Sequence, residues 1–248
     1  KADVQRSVNL MPTKVENASG KNAMFLKSTP GLTEFAVIDD CIYTPIFTDT
    51  FTGTNGTRLD VHVPDLTSQD WGWVGTGWDF SGVKLETRDG HAVVPTGYNG
   101  AFTFGFADLY PIDNYGATLP LTFPYRVTMI GRHAPASLGL VGHVQFVLQD
   151  DTGTDNSLYV RLYDTDGEYA AEATMYVDGN PNQVRVPLAS NAVATLVVTV
   201  TATNFTLSVN GTSAPPVACA SRSVFTYAQM EVTRADSYMD FIEISVCQ

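Results

Sequence analysis

Ser157-Leu158-Tyr159-Val160-Arg161-Leu162-Tyr163 alternates without a break, with Leu158, Val160 and Leu162 on one face of an extended chain and Tyr159, Arg161 and Tyr163 on the other. A helix would scatter both sets around its circumference, so the segment reads as a strand with one buried face. The same period recurs to either side. Within residues 142–148, Val144, Phe146 and Leu148 oppose His143, Gln145 and Val147. In Ala101-Phe-Thr-Phe-Gly-Phe106, the three Phe residues share a face. Further on, residues 196–201 and 204–209 flank a short turn at Ala202-Thr203, and Asn210-Gly211 supplies a second turn of the kind that closes hairpins. The last strand is read over residues 238–246.

No long segment carries helical periodicity. Many short strands, each with one apolar face, must bury those faces against another sheet. The expected fold is therefore all-β, with two antiparallel sheets packed as a sandwich. The 248 residues suffice for it, and a composition 44% hydrophobic and 16% charged provides a core. Residues 1 to about 45 have a different texture: Pro12, Gly20, Pro30 and Gly31 interrupt any period, so this part reads as an irregular arm.

The charge balance narrows the function. Twenty-six acidic residues against 14 basic ones give a net charge of −12, which argues against a nucleic-acid surface. No apolar run is long enough to span a bilayer, and the opening residues lack a signal-peptide pattern. Cys41, Cys219 and Cys247 have neither zinc-site spacing nor a C-x-x-C pair. Cys219 and Cys247 can pair if their strands meet, but three buried thiols are the expectation. The sequons at Asn17, Asn55, Asn204 and Asn210 are chance matches in an Asn- and Thr-rich chain.

Two resemblances cover different parts of the chain. Asp49-Thr-Phe-Thr-Gly-Thr-Asn-Gly-Thr-Arg-Leu59, then Pro64-Asp65, Trp71, Gly77-Trp78 and Ser81-Gly82, resembles the opening of concanavalin A-like (laminin-G-like) jelly-roll domains of phage structural proteins. Phe51 and Leu59 would bracket a Gly-rich turn, Trp78 would fill a core slot, and Gly82 would allow a positive φ. The paired strands around Asn204 and the terminal Asp240-Phe-Ile-Glu-Ile244 fit that fold's closing half.

The second resemblance lies in the arm. Gln5-Arg6-Ser-Val8-Asn9-Leu10-Met-Pro12, then Gly20-Lys21, Thr29-Pro-Gly-Leu32 and Phe35, is similar to the N-terminal segment of packaged-DNA-stabilisation (tail hub) proteins of short-tailed phages, with Met11 in place of a common Tyr. That family's β-propeller body has no counterpart here, so the arm implies a phage origin more than a hub role.

The division expected is an extended docking arm at 1–47, with Gln5, Arg6, Val8, Asn9, Leu10, Pro12, Phe25 and Leu26 as its contact residues, and a jelly-roll domain at 48–248. What the resemblances imply is a non-enzymatic virion protein. The jelly roll is displayed on the particle surface, assembled in the host cytoplasm and anchored by the arm to the capsid (decoration or cement) or the tail. Its partners would be other virion proteins and further copies of itself, with no nucleic acid or membrane. The alternative is an adhesin that binds host-surface glycans.

Jelly rolls of this type include glycoside hydrolases, which carry E-x-D-x-x-E on one strand. The nearest counterpart, Asp240-Phe-Ile-Glu243, has Tyr238 where the first Glu belongs, and a spacing of three is expected to place the two carboxylates on opposite faces. His62, His91, His133 and His143 are dispersed, and no nucleophile motif accompanies them. No cofactor is expected. Calcium is the one candidate ion, because Asp150-Asp-Thr-Gly-Thr-Asp155-Asn and Asp164-Thr-Asp166-Gly are oxygen-rich loops, although Asp and Gly dominate ordinary turns as well.

One surface stands out. His143, Gln145, Tyr159, Arg161, Tyr163, Glu172, Thr174 and Tyr176 all point away from the apolar set. If their strands are neighbours, they form a polar, aromatic face suited to glycan or protein. The competing reading is a plain solvated sheet, in which Tyr is simply a good strand former.

Overall fold

The computed structural model describes residues 15–16, 22–29, 32–37, 41–67, 71–74, 83–95, 104–111, 119–134, 142–150, 156–165, 168–234 and 236–248. Two compact units emerge: residues 1–42 with Gln248, and Tyr43–Cys247.

In the first unit, Val15–Glu16, Asn22–Thr29 and Leu32–Val37 form an antiparallel sheet in that order. This stretch had read as irregular because Pro30 and Gly31 break its period. Thr29 pairs with Leu32, so that dipeptide separates the two strands of a hairpin. Phe25 pairs with Phe35 and Lys27 with Glu34, which leaves Leu26 as a bulge. Gln5, Arg6, Val8, Asn9, Leu10 and Pro12 lie outside the described residues.

The second unit is a jelly-roll sandwich. One sheet runs, side by side, Asn180–Pro187, Glu168–Val177, Ser157–Thr165, Gly142–Gln149, Tyr227–Thr233, Phe104–Pro111 and Trp71–Val74. The other is built around Val193–Val200, Tyr125–Arg132 and Tyr238–Cys247, with Asn204–Val209 outside the first of these. Between them lies one core, in which Val127, Met129, Leu196, Leu207 and Ile242 of the second sheet join Val144, Phe146, Val160, Ala173 and Met230 of the first. Each buried Val, Leu, Ile, Phe or Met side chain contributes about 1.5–3 kcal/mol of burial free energy, and the strict alternation of the Tyr125–Arg132 strand places Tyr125, Val127 and Met129 in the core from one face.

The hairpin read at Asn210-Gly211 is present. Both residues have positive φ (49° and 82°), and Val209 pairs with Thr212 across them. Residues 101–103, Trp78, Gly77, Ser81 and Gly82 lie outside the described residues.

Asp49, at the start of the opening motif, is fully buried. Its carboxylate accepts hydrogen bonds from the Phe51 backbone N–H (2.7 Å) and the Trp73 indole N–H (2.5 Å), and lies 2.9 Å from His62 Nε2. Phe51 sits at φ 52°, an unfavourable region for a bulky residue. The bond to Asp49 and complete burial of the Phe51 ring hold it there. Leu59 is buried beside it, as the motif implied, and Trp73 is the described tryptophan that fills the core.

Three expectations are corrected. The sandwich takes in Tyr43–Asp49, which pairs with Tyr238–Cys247, so the expected boundary between 47 and 48 falls inside a strand. Cys41 and Cys247 are disulfide-bonded, and Cys219 is a free, half-buried thiol, so the three buried thiols are not found. Finally, Ile130 pairs with Phe241 but Gly131 pairs with Met239, which makes Asp240 a bulge. Met239 and Ile242, three apart, are both fully buried, so Asp240 and Glu243 do not lie on opposite faces as a regular strand would put them.

Candidate functional site

The strands of the first sheet bring the expected polar face together. Register places Glu231, Gln145, Arg161, Glu172 and Arg185 in one row across five consecutive strands. The next row holds Val147, Tyr159, Thr174 and Gln183, and Tyr176 lies across from Ser157 beyond it. On the other side, His143 is opposite Tyr163. All eight predicted residues therefore share one face.

This face is not a plain solvated sheet. Glu172 is 0% exposed, and Gln145, Thr174, Glu231 and Tyr163 are also buried. A buried carboxylate needs partners, and Glu172 has several. Arg161 Nε donates at 2.7 Å and its terminal nitrogen also reaches Oε1; Thr174 Oγ1 donates at 2.8 Å; Arg185 reaches Oε2 at 3.2 Å. Burial pushes the Glu172 carboxyl up, but Arg161, together with hydrogen bonds from Gln183 and Thr174, outweighs it and holds the pKa below the ordinary value. At the other end of the row, Gln145 Nε2 donates to Glu231 Oε2 at 2.8 Å, and His143 Nε2 lies 2.8 Å from the same oxygen.

Aromatic rings frame the charges. The Arg161 and Arg185 guanidinium groups each lie 4.8 Å from the Tyr163 ring centre, and Tyr159 meets Tyr176 edge-on at 5.5 Å. The result is a rigid, preorganised surface of flat rings and fixed hydrogen-bonding groups, with Arg185 44% exposed at its margin.

Arg185, Gln183 and Glu231 were missed from sequence. The alternation in Gln183-Val184-Arg185-Val186 and in Gln229-Met230-Glu231-Val232 carries the signal, but Pro181 and Pro187 flank the first of these, and Pro is disfavoured in strands.

The carboxylates of this face are widely separated. Glu172 and Glu231 sit three strands apart, about 14 Å at the usual strand spacing. Paired glycosidase carboxylates are about 5–9.5 Å apart. On the other sheet, Asp240 contacts His91 Nδ1, and His91 stacks on Tyr238 at 4.3 Å. Each histidine has its own partner: Asp49 for His62, Asp240 for His91, Ser237 for His133 and Glu231 for His143. Among the described residues no group of three or more potential ligands could hold a metal ion, and both candidate calcium loops extend outside those residues.

A cleft of about 430 Å³ opens at one end of this sheet, lined by Tyr163, Glu168, Tyr169, Arg185, Leu188 and Ser190 among others. A smaller pocket adjoins it, sharing Tyr163, Tyr169 and Leu188 and ending on His133.

No family model and no curated protein matches this chain. Solved structures do. An endo-beta-1,3(4)-glucanase of family GH16, SCLam, is 12% identical with a TM-score of 0.53, covering 86% of this chain and 94% of its own. Porphyranase B of Zobellia galactanivorans is 12% identical with a TM-score of 0.51, over 88% and 97%. The CBM2 module of the evolved Dit protein of Lactobacillus casei BL23 phage J-1 is 10% identical with a TM-score of 0.50, over 82% and 98%. At such identities the likeness is one of fold, the concanavalin-like jelly roll.

Proposed function

We propose that this chain is a non-catalytic, carbohydrate-binding jelly roll of a bacteriophage virion, with an N-terminal arm that docks it on the particle. The observation that carries the glycan reading is the Arg161–Glu172–Arg185 cluster framed by Tyr159, Tyr163 and Tyr176. Sugars present apolar ring faces and fixed patterns of hydroxyls. Flat aromatics and preorganised charged groups match both, at little entropic cost on binding. Three solved structures of this fold carry carbohydrate names, one of them a phage carbohydrate-binding module, which agrees with the reading.

The spacing of the carboxylates speaks against catalysis on this face. Glu172 and Glu231 are too far apart to act as a pair, and Glu172 is committed to two arginines. The virion role rests on the arm, whose sequence resembles a phage assembly segment.

A glycan array probed with the full chain tests the reading. Selective binding of host-surface polysaccharides, with no reducing ends released, is the expected result. Failure to bind any glycan would sink it, as would turnover abolished by Glu172→Gln or Glu231→Gln. Deleting the arm should abolish particle attachment and leave glycan binding intact.

A further inference from the structure

The row of charges identifies a face, whereas the cleft beside it has the form of a grip. Its volume of about 430 Å³ falls within the roughly 300–1,000 Å³ of small-molecule sites. Its lining is divided: Tyr169, Pro187 and Leu188 offer apolar surface, and Glu168, Arg185 and Ser190 offer hydrogen-bonding groups. A pyranose ring is divided in the same way.

The inner end of the site is more specific. The adjoining pocket has room for about one water-sized group, at about 10 Å³. One buried polar atom in its lining residues, His133 Nε2, has no hydrogen-bond partner among the described residues. His133 is 3% exposed. The other imidazole nitrogen, Nδ1, lies 3.2 Å from Ser237 Oγ, which also accepts the Ala134 N–H at 3.0 Å, so the ring is fixed in orientation. A buried polar atom left unpaired is destabilising until a partner reaches it. A hydroxyl entering this pocket can donate or accept, and so can serve Nε2 in either tautomer.

Charge decides the class of sugar. The arginine at the cleft, Arg185, is already engaged by Glu172, and Glu168 adds a negative charge on the lining. The whole chain carries −12. A polyanionic glycan would meet repulsion at long range and find no unpaired cation among the described residues that line the cleft.

Resting on the glycan-binding reading, we infer that this cleft is the primary sugar subsite, that it takes an uncharged pyranose unit, and that one sugar hydroxyl is inserted against His133. The sheet face with Tyr159 and Tyr176 then carries the following units of the chain.

The test is calorimetric titration of the full chain with neutral oligosaccharides (β-glucan, β-galactan and N-acetylglucosamine series) and with alginate and dextran sulfate. Ser190→Trp fills the cleft from an exposed position and Tyr169→Ala removes an aromatic wall. Each is expected to weaken neutral-sugar binding at least tenfold, and the 6-deoxy and other monodeoxy forms of the terminal sugar should include one that loses a similar factor. Tyr176→Ala should cost less. If a glycan binds and both cleft variants bind it as tightly as the parent while Tyr159→Ala or Tyr176→Ala abolishes binding, the subsite is wrong and the wider reading stands. Preference for the acidic polymers would overturn the sugar class. No binding of any glycan would overturn both.

Discussion

Arg161 and Glu172 face each other across neighbouring strands, and Arg161 Nε donates to the fully buried Glu172 carboxylate at 2.7 Å. Removing the arginine leaves a buried charge held only by Arg185 and neutral groups. Arg161→Met is expected to cost about 3 kcal/mol in urea unfolding, and the double change with Glu172→Met to cost less than Arg161→Met alone, because the stranded charge goes too. An additive double change would mean the pair is not coupled. The Glu172 pKa is depressed on folding, so its stabilising contribution is present above its unfolded value and is lost as pH falls through the folded one.

His133 acts in a different pH window. Burial first, then Arg234 and His143, lower its pKa from 6.5 to about 4, against the opposing charge of Asp164. The unfolded chain takes up the proton near 6.5 and the folded chain only near 4. The stability difference is therefore complete above the unfolded value and declines as pH drops through this window, by about 3 kcal/mol in all. Urea midpoints at pH 7 and pH 4.5 should diverge in the parent and converge in His133→Asn. An unchanged pH slope in that variant would remove His133 as the cause.

Asp49 pins the corner at Phe51. Asp49→Ala strips the Trp73 indole and the Phe51 amide of their acceptor and frees a bulky residue held at positive φ. A loss of roughly 3 kcal/mol or more is expected by thermal unfolding, with Asp49→Asn recovering part of it. A loss below about 1 kcal/mol would show that packing alone fixes the corner.

The Tyr43–Asp49 strand supplies the next test. Phe47 is fully buried and pairs with Ile244. A chain lacking residues 1–40 should unfold cooperatively with a midpoint near the parent's, whereas one lacking residues 1–47 should be strongly destabilised. The reverse ranking would show that residues 1–40 are part of the cooperative unit.

The legible parts of the fold were those where one period governs a whole strand. Ser157 to Tyr163 and residues 142–148 announced both their strands and their outward residues, because a period of two fixes side-chain direction without knowledge of neighbours. Features that depend on contacts distant in sequence stayed hidden. The Asp240 bulge is set by Gly131 on the partner strand, where a Cβ would meet Tyr238 O at 2.8 Å. The cleft and the pocket that adjoins it bring His133, Tyr169 and Ser190 to one end of the sheet, and nothing local marks them as neighbours. Asp49 begins the opening motif in sequence, but its three buried partners appear only after folding. The arm's hairpin was masked because Pro30 and Gly31 read as a break rather than as a turn.

The most direct test of glycan binding follows tyrosine ring signals by carbon–proton NMR as the full chain is titrated with the best oligosaccharide from the array. We expect the rings of Tyr159, Tyr163, Tyr169 and Tyr176 to shift with a common saturation curve, while Tyr43, Tyr125 and Tyr238 stay in place. Shifts confined to Tyr43 or Tyr238 would put the ligand on the other sheet, and no saturable shift at any ring would contradict glycan binding altogether.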